Sequence, residues 1–220
     1  MNAVNYQKEL DKILKEQRLL SGGGQVTRTL FLHSCCAPCS SYVLEYLCNY
    51  FHITVYYYNP NISANEEYHK RVKEQMRLID AYNREIENGA RDGHPIRIVE
   101  GDYEPQRFYE TARGYEDCPE GGERCFRCFD LRLRETAKRA KEGGFDYFAT
   151  TLTISPLKNA QKINEIGIAL AKEYDVSWLP ADFKKKDGYK RSIELSAEYE
   201  LYRQNYCGCI YSKEERKRQA

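Results

Sequence analysis

At 220 residues, with 13% aromatic residues and a net charge of +1, the chain is long enough to bury a core as one domain and too aromatic for intrinsic disorder. The small net charge excludes a protein that is basic overall, so any nucleic-acid contact must come from a local patch. No stretch has the roughly 18 apolar residues of a membrane helix and no apolar signal segment opens the chain, which predicts a cytoplasmic protein without membrane contact.

A leading helix is predicted over residues 6–20, within an N-terminal segment that ends at residue 22. Leu10, Ile13 and Leu14 recur there at helical spacing, and the run SGGGQ that follows ends the pattern. Phosphate-binding glycines follow a strand and open a helix, whereas this run precedes the first β-rich run. The glycines therefore predict a linker and no nucleotide site.

β-rich runs and helical patterns alternate along the rest of the chain. The β-rich runs are residues 27–33, 52–59, 95–101, 146–153 and 176–183. The helical patterns are residues 40–50, 64–88, 124–142 and 159–174. This alternation predicts a single α/β domain, a three-layer α/β/α fold of the HUP or Rossmann-like type, with a mostly parallel five-stranded sheet in the order 3-2-1-4-5. Ligands of such sheets bind where the first and fourth strands end, and there the chain carries HSCCAPC and SPLK.

Seven of the nine cysteines fall into three short groups, the last of them in a C-terminal segment over residues 200–220. The groups are Cys35, Cys36 and Cys39; Cys125 and Cys128; and Cys207 and Cys209. In a cytoplasmic protein such clustering predicts metal or redox use, and all seven are candidate metal ligands. A structural zinc site takes at most four thiolates. Four of the seven could instead hold a 4Fe–4S cluster, while the others bind a second metal or cycle between dithiol and disulfide.

Isolated residues are weaker signals. Cys48 lies inside a helical pattern and is predicted to be a small buried hydrophobe. Cys118 could be either such a residue or a ligand, because its loop precedes the second cysteine group closely. His33 ends the first strand and is either a structural group or a proton donor. Asp130 and Arg132 could be cluster neighbours or an exposed ion pair, and neither is assigned a role.

Six motifs together resemble the epoxyqueuosine reductases of the QueH type. They are HSCCAPCSSY at 33–42, YNPNISANEEY at 58–68, GGERCFRCFDLRLRETAKRA at 121–140, FATTLTISPLKN at 148–159, FKKKDGYKRS at 183–192 and YRQNYCGCIYS at 202–212. The resemblance extends from residue 30 to residue 212, and none of its motifs is a generic fold signature. The chain departs from the family pattern at Ser63 and Ala64, which stand where a His-Pro pair is expected.

This resemblance implies a two-electron reduction of the epoxide of epoxyqueuosine, in the wobble position of a tRNA anticodon, to the alkene of queuosine. It also implies a 4Fe–4S cluster, no cobalamin and an unidentified electron donor. Cys207 and Cys209 would be the redox-active catalytic pair, and Cys39 would bind a second metal, iron or zinc, beside the cluster. The implied cluster ligands are Cys35, Cys36, Cys125 and Cys128.

Two basic patches are candidates for contact with tRNA phosphates. The stronger, over residues 183–191, holds five basic side chains against one acidic, and the weaker, over residues 213–218, holds four against two. The basic residues of the stronger patch are Lys184, Lys185, Lys186, Lys190 and Arg191. We expect them to bind the tRNA backbone; the alternative is that they only form a solvated face. Exposed tyrosines could stack on an unpaired anticodon base.

Two other functions fit parts of the pattern. A cluster-containing tRNA sulfur-transferase would share the fold class but should need ATP, and no glycine-rich phosphate loop follows the first strand. A non-catalytic zinc-binding module that recognises RNA would carry zinc without iron or sulfide. Metal analysis of anaerobically purified protein distinguishes that module from a cluster enzyme.

Overall fold

The strands of the protein form one parallel sheet. The structure is a computed structural model, and it describes residues 4–22 and 27–219. The strands are β1 (Thr29–His33), β2 (His52–Tyr57), β3 (Arg97–Glu100), β4 (Tyr147–Thr150) and β5 (Ser177–Trp178). The order is β3-β2-β1-β4-β5, which confirms the predicted 3-2-1-4-5 arrangement. In register, Leu32 of β1 lies between Val55 and Ala149. The carboxyl ends of β1 and β4 are therefore neighbours.

Helices cover both faces of the sheet, as expected for a three-layer α/β/α fold. The described residues form α1 (Tyr6–Gly22), α2 (Ala37–Leu47), α3 (Asn65–Glu87), α4 (Pro105–Ala112), α5 (Glu123–Glu142), α6 (Ala160–Tyr174), α7 (Gly188–Glu198) and α8 (Ile210–Gln219). The sequence patterns predicted α1, α3, α5 and α6 closely and missed α4, α7 and α8. Helix α1 continues through the first two residues of the predicted linker, and residues 23–25 of that linker lie outside the described residues. No helix within 4–22 or 27–219 is long and apolar enough to cross a membrane.

Several element boundaries differ from the prediction. Strand β4 ends at Thr150 instead of at residue 153, because the next four residues form the 3-10 helix Thr151–Ile154, which the Thr150 hydroxyl caps by accepting the Leu152 N–H.

Helix α2 begins at Ala37, three residues early, because Pro38 lies in the first turn, where its missing N–H group costs no helical hydrogen bond. Strand β5 is only two residues long instead of eight. Pro180 cannot donate to a ladder, and the last bond of this edge strand runs from the Leu179 N–H to the Phe148 carbonyl, at 2.9 Å.

The central strand β1 buries side chains on both faces of the sheet. Leu30 and Leu32 pack into the core with residues of α2 and α3, whereas Phe31 points to the other face and packs with residues of α5 and α6. This alternation follows from the two-residue period of a strand. Burial on both faces fixes where β1 ends, and therefore where the cysteines that follow it lie.

Candidate metal centre

The first cysteine group forms the turn between β1 and α2. Cys36 is the N-cap residue of α2, and Cys39 lies in its first turn. The Sγ atoms of Cys35, Cys36 and Cys39 all lie within 4.8 Å of one another, with 3.9 Å between the first two. The helix N-terminus favours negative charge at these sulfurs. This group is compact enough to bind a single metal ion.

One of the three thiols loses its proton easily, whereas the other two lose theirs only with difficulty. Hydrogen bonds from the thiols of Cys36 and Cys39 lower the pKa of Cys35 well below its usual range. The hydrogen bond to Cys35 raises the pKa of each donor in turn, that of Cys39 well above its usual range and that of Cys36 to about 12. Because the three titrations are linked, a second and third thiolate require a cation beside them.

The second group occupies the start of α5. Cys125 and Cys128 are three residues apart, so that both thiols lie on one face of the helix. The Gly121 N–H group donates to the Cys125 sulfur at 3.2 Å. Burial raises the pKa of Cys125, and raises that of Cys128 to about 11. Without a bound cation these two thiols therefore stay protonated at neutral pH.

The third group lies on the loop that precedes α8, and residues far away in the chain hold this loop. The Arg71 guanidinium donates to the Cys207 carbonyl at 3.2 Å. Ser63 donates its N–H to the Gly208 carbonyl at 3.1 Å and accepts the Ile210 N–H at 2.8 Å. Ser63, which departs from the family pattern in sequence, thus binds the cysteine loop through both its backbone and its hydroxyl.

Gly208 allows this loop to turn between its two cysteines. Its φ angle is +115°, and a Cβ atom there would lie 2.9 Å from Ile62 Cγ1. We expect Gly208→Ala to lower the free energy of unfolding by about 1–3 kcal/mol, because it adds a steric contact to backbone strain. Urea unfolding of the protein measures this.

A second glycine provides a control that distinguishes the cost of backbone strain from the cost of the steric contact at Gly208. Gly89 also has a positive φ angle, +77°, but a Cβ atom there would meet nothing within 4 Å. Gly89→Ala should therefore cost only about 1 kcal/mol. Equal losses in the two variants would contradict the tight packing at Gly208.

The three cysteine groups converge on two adjacent cavities. The outer cavity, of about 140 Å³, is lined by Cys35, Cys36, Cys39 and Cys207. The inner cavity, of about 20 Å³, is lined by Cys125, Cys128, Cys207 and Cys209. Cys207 belongs to both linings. All seven grouped cysteines therefore meet at the carboxyl edge of the sheet.

Several cationic side chains line the two cavities, and two of them, Lys158 and Arg132, form no ion pair with a carboxylate among the described residues. Sequence reasoning gave neither of these two a role. Lys158 follows the short 3-10 helix Thr151–Ile154 and lines the outer cavity, half-buried. Burial would lower its pKa, but attraction to the thiolate forms of the neighbouring cysteines, Cys35 first among them, outweighs burial and raises it. Arg132 lines the inner cavity and is fully buried. Its position four residues after Cys128, on the same helix face, was the only sequence signal for it.

The isolated residues have structural surroundings. His33 is fully buried, with Nδ1 2.8 Å from the Thr150 hydroxyl and Nε2 3.1 Å from the Tyr58 carbonyl. Burial lowers its pKa to about 3, so the ring is neutral and acts as a structural group. Cys48 is buried in the core, as expected. Cys118 lines a separate cavity between its own loop and α8.

The stronger basic patch is largely neutralised by carboxylates. Lys184 lies 2.7 Å from Asp182 and Lys186 lies 2.7 Å from Asp11. Arg191 also forms ion pairs, the shortest of them to Glu45 at 2.8 Å. Among the described residues no carboxylate lies within 4.0 Å of the two remaining lysines, Lys185 and Lys190, and both are exposed. The patch adjoins the outer cavity, because its Tyr189 forms part of the cavity lining.

Comparison with known proteins identifies the family to which the chain belongs. The family model described as "Epoxyqueuosine reductase QueH" matches residues 30–215. The protein of that name from Streptococcus pyogenes serotype M1 is 44% identical over 209 residues, which are 95% of this chain and 78% of the relative. That from Staphylococcus epidermidis is 44% identical over 211 residues, 95% of this chain and 84% of the relative. That from Thermotoga maritima is 34% identical over 192 residues, 86% of this chain and 92% of the relative. The chain therefore belongs to the epoxyqueuosine reductase QueH family.

Proposed function

We propose that this protein is an oxidoreductase that reduces the epoxide of epoxyqueuosine to the alkene of queuosine, in the wobble position of a tRNA anticodon. Membership of a family whose curated relatives are named for this reaction supports the proposal. The observation that carries it is the convergence of three cysteine groups, distant in the chain, on two cavities joined at Cys207. Such a concentration of thiols suits redox chemistry rather than a structural zinc site.

The residues around the cavities fit a 4Fe–4S cluster. Lys158 and Arg132 bring two positive charges to the thiols. Neither side chain forms an ion pair with a carboxylate among the described residues. A cluster held by four thiolates is anionic and would balance these charges. When bound, such a cluster supplies electrons one at a time. The proposed ligands are Cys35, Cys36, Cys125 and Cys128.

Cys39 is proposed as a ligand to a second metal, iron or zinc, beside the cluster. Its sulfur lies within 4.8 Å of those of Cys35 and Cys36, which supports a shared metal environment. An ion bound there would supply Lewis-acid polarisation of the epoxide oxygen. No cobalamin is required in this scheme.

Cys207 and Cys209 are proposed as the redox pair. Converting an epoxide to an alkene removes one oxygen as water and consumes two electrons and two protons. Oxidation of the dithiol to a disulfide releases two electrons and two protons, so that the reaction balances. An external electron donor must then reduce the disulfide before the next turnover. The lining of both cavities by Cys207 supports this role.

The proposed function is tested on protein purified without oxygen. Iron and acid-labile sulfide are measured first, and the protein is then incubated with a chemical reductant and tRNA that carries epoxyqueuosine. Mass analysis of the nucleosides should show queuosine formed at the expense of epoxyqueuosine. Protein that contains iron and sulfide but leaves epoxyqueuosine unchanged would contradict the function.

Lys185 and Lys190 are the proposed tRNA contacts of the basic patch. We expect the Lys185→Gln, Lys190→Gln double variant to bind tRNA more weakly and to reduce the slope of log affinity against log salt by about 1–2, since each lost phosphate contact removes about 0.7–0.9. Filter binding at several salt concentrations measures the slope.

The ion-paired lysines of the same patch provide the control. Lys184 and Lys186 are held by Asp182 and Asp11, so a Lys184→Gln, Lys186→Gln variant should change the slope less. Both double variants remove the same number of charges. If the control had the larger effect, the proposed contacts would be wrong.

A further inference from the structure

Arg132 is a buried charge that the proposed reaction does not yet use. Its side chain is 1% exposed, and it projects from α5 into the lining of the inner cavity. No carboxylate among residues 4–22 and 27–219 forms an ion pair with it. A buried charge without a partner is strongly destabilising, so such a residue is expected to face an anion.

Two hydrogen bonds fix the orientation of the guanidinium. Nε donates to the Cys128 carbonyl at 3.2 Å, and Nη1 donates to Asn59 Oδ1 at 3.4 Å. Asn59 in turn donates to the Ser34 carbonyl at 2.8 Å, immediately before the first cysteine group. The guanidinium therefore links the helix that carries one cysteine group to the turn that carries another.

The remaining nitrogen, Nη2, is fully buried and has no hydrogen-bond partner among the described residues. Unpaired buried donors are rare in native proteins, because each forfeits its hydration without replacement. Burial would lower the pKa of Arg132, but cysteines of all three groups lie close enough for their thiolate forms to stabilise its charge and raise that pKa: Cys128 and Cys125, Cys207, and Cys35. The missing acceptor is therefore expected among the sulfur atoms at the centre of the site.

We propose that Arg132 is a positioning residue whose Nη2 donates a hydrogen bond to an anionic sulfur of the bound iron–sulfur centre, and whose charge stabilises the reduced form of that centre. The inference rests on the proposed cluster. Reduction adds a negative charge, which a neighbouring cation and a hydrogen bond to sulfur both favour. Arg132 thus raises the reduction potential of the centre. Lys158, half-buried and in the outer cavity, is more accessible to solvent and is screened more strongly.

The midpoint potential of the cluster tests this, measured by anaerobic redox titration of the loaded full-length protein. We expect the potential to fall in the order wild type, Arg132→Lys, Arg132→Gln, because lysine keeps the charge but loses the planar fork, and glutamine loses the charge. Arg134→Gln is the control, since Arg134 lies on the same helix, partly exposed and paired with Asp130. Its potential should equal that of wild type.

Thermal unfolding distinguishes this role from a purely structural one. If Arg132 serves the cluster, Arg132→Gln should shrink the gain in Tm that cluster loading gives wild type. A structural arginine would instead lower the Tm of the apo and loaded forms equally. Should Arg132→Gln fail to fold, the comparison is made with Arg132→Lys.

An Arg132 variant with the wild-type potential would overturn the inference, as would an unchanged gain in Tm on loading. Failure of the proposed function has a different signature. If wild-type protein contained no iron or sulfide, the proposed cluster would be wrong. If loaded wild-type protein failed to reduce epoxyqueuosine, the proposed reaction would be wrong, but the effect of Arg132 on the midpoint potential could still be measured.

Discussion

Replacing Cys207 and Cys209 together with serine is expected to abolish epoxide reduction while the absorbance of the cluster stays at its wild-type level. Serine cannot form a disulfide, so the two electrons and two protons that the dithiol supplies are lost. The proposed cluster ligands belong to the other two cysteine groups and remain intact. Queuosine formation and the visible spectrum of the same anaerobic sample provide both measurements.

The single variants sharpen this prediction. Because a disulfide needs both sulfurs, Cys207→Ser and Cys209→Ser should each be as inactive as the double variant, in a clearly non-additive pattern. Cys118→Ser is the control, since Cys118 lines a separate cavity, and it should keep full activity. Turnover at the wild-type rate in the double variant would refute the redox role of the pair.

The second large effect is expected for Cys36→Ala, which should reduce iron and sulfide from about four of each per chain to nearly none. Cys36 is 2% exposed and contacts Cys35 at 3.9 Å, in the middle of the first group. Although it is the N-cap residue of α2, its side chain makes no capping hydrogen bond. The apo protein should therefore keep its fold, which far-UV circular dichroism monitors.

Cys118→Ala, assayed in parallel, should load iron and sulfide as wild type does. Full loading of Cys36→Ala would exclude Cys36 as an essential ligand. Zinc alone in wild-type protein, without iron or sulfide, would favour the RNA-binding zinc module over a cluster enzyme. Metal analysis of these three proteins thus tests the proposed ligand set and its main alternative together.

Where the sequence pattern is local, prediction succeeded. The parallel sheet covered by helices followed from alternating strand and helix periods, since hydrophobic periodicity is a property of neighbouring residues, and the order 3-2-1-4-5 followed from the fold type that this alternation indicates. The short spacings of the cysteines likewise indicated metal or redox use. Helix α7 was not predicted: only its first four residues belong to the charged patch over 183–191, and the buried Leu195 and Ser196 lie beyond that patch.

Charge partners depend on residues that are distant in the chain. The lysine run appeared free in sequence, yet Asp11 and Glu45, more than 140 positions away, neutralise Lys186 and Arg191. A count of local charge cannot show this, because ion pairs form in space.

The sequence by itself determined the fold class, the edge of the sheet where the chemistry lies and the seven thiols that could carry it, because each of these is expressed in short-range patterns. Only the tertiary structure decided that Cys207 lines both cavities, that Ser63 and Arg71 hold its loop, and that Arg132 is buried among the thiols without a carboxylate partner. These features arise where segments far apart in the chain pack together. Because Arg132 is buried there, its charge has lost its hydration and requires an anion beside it.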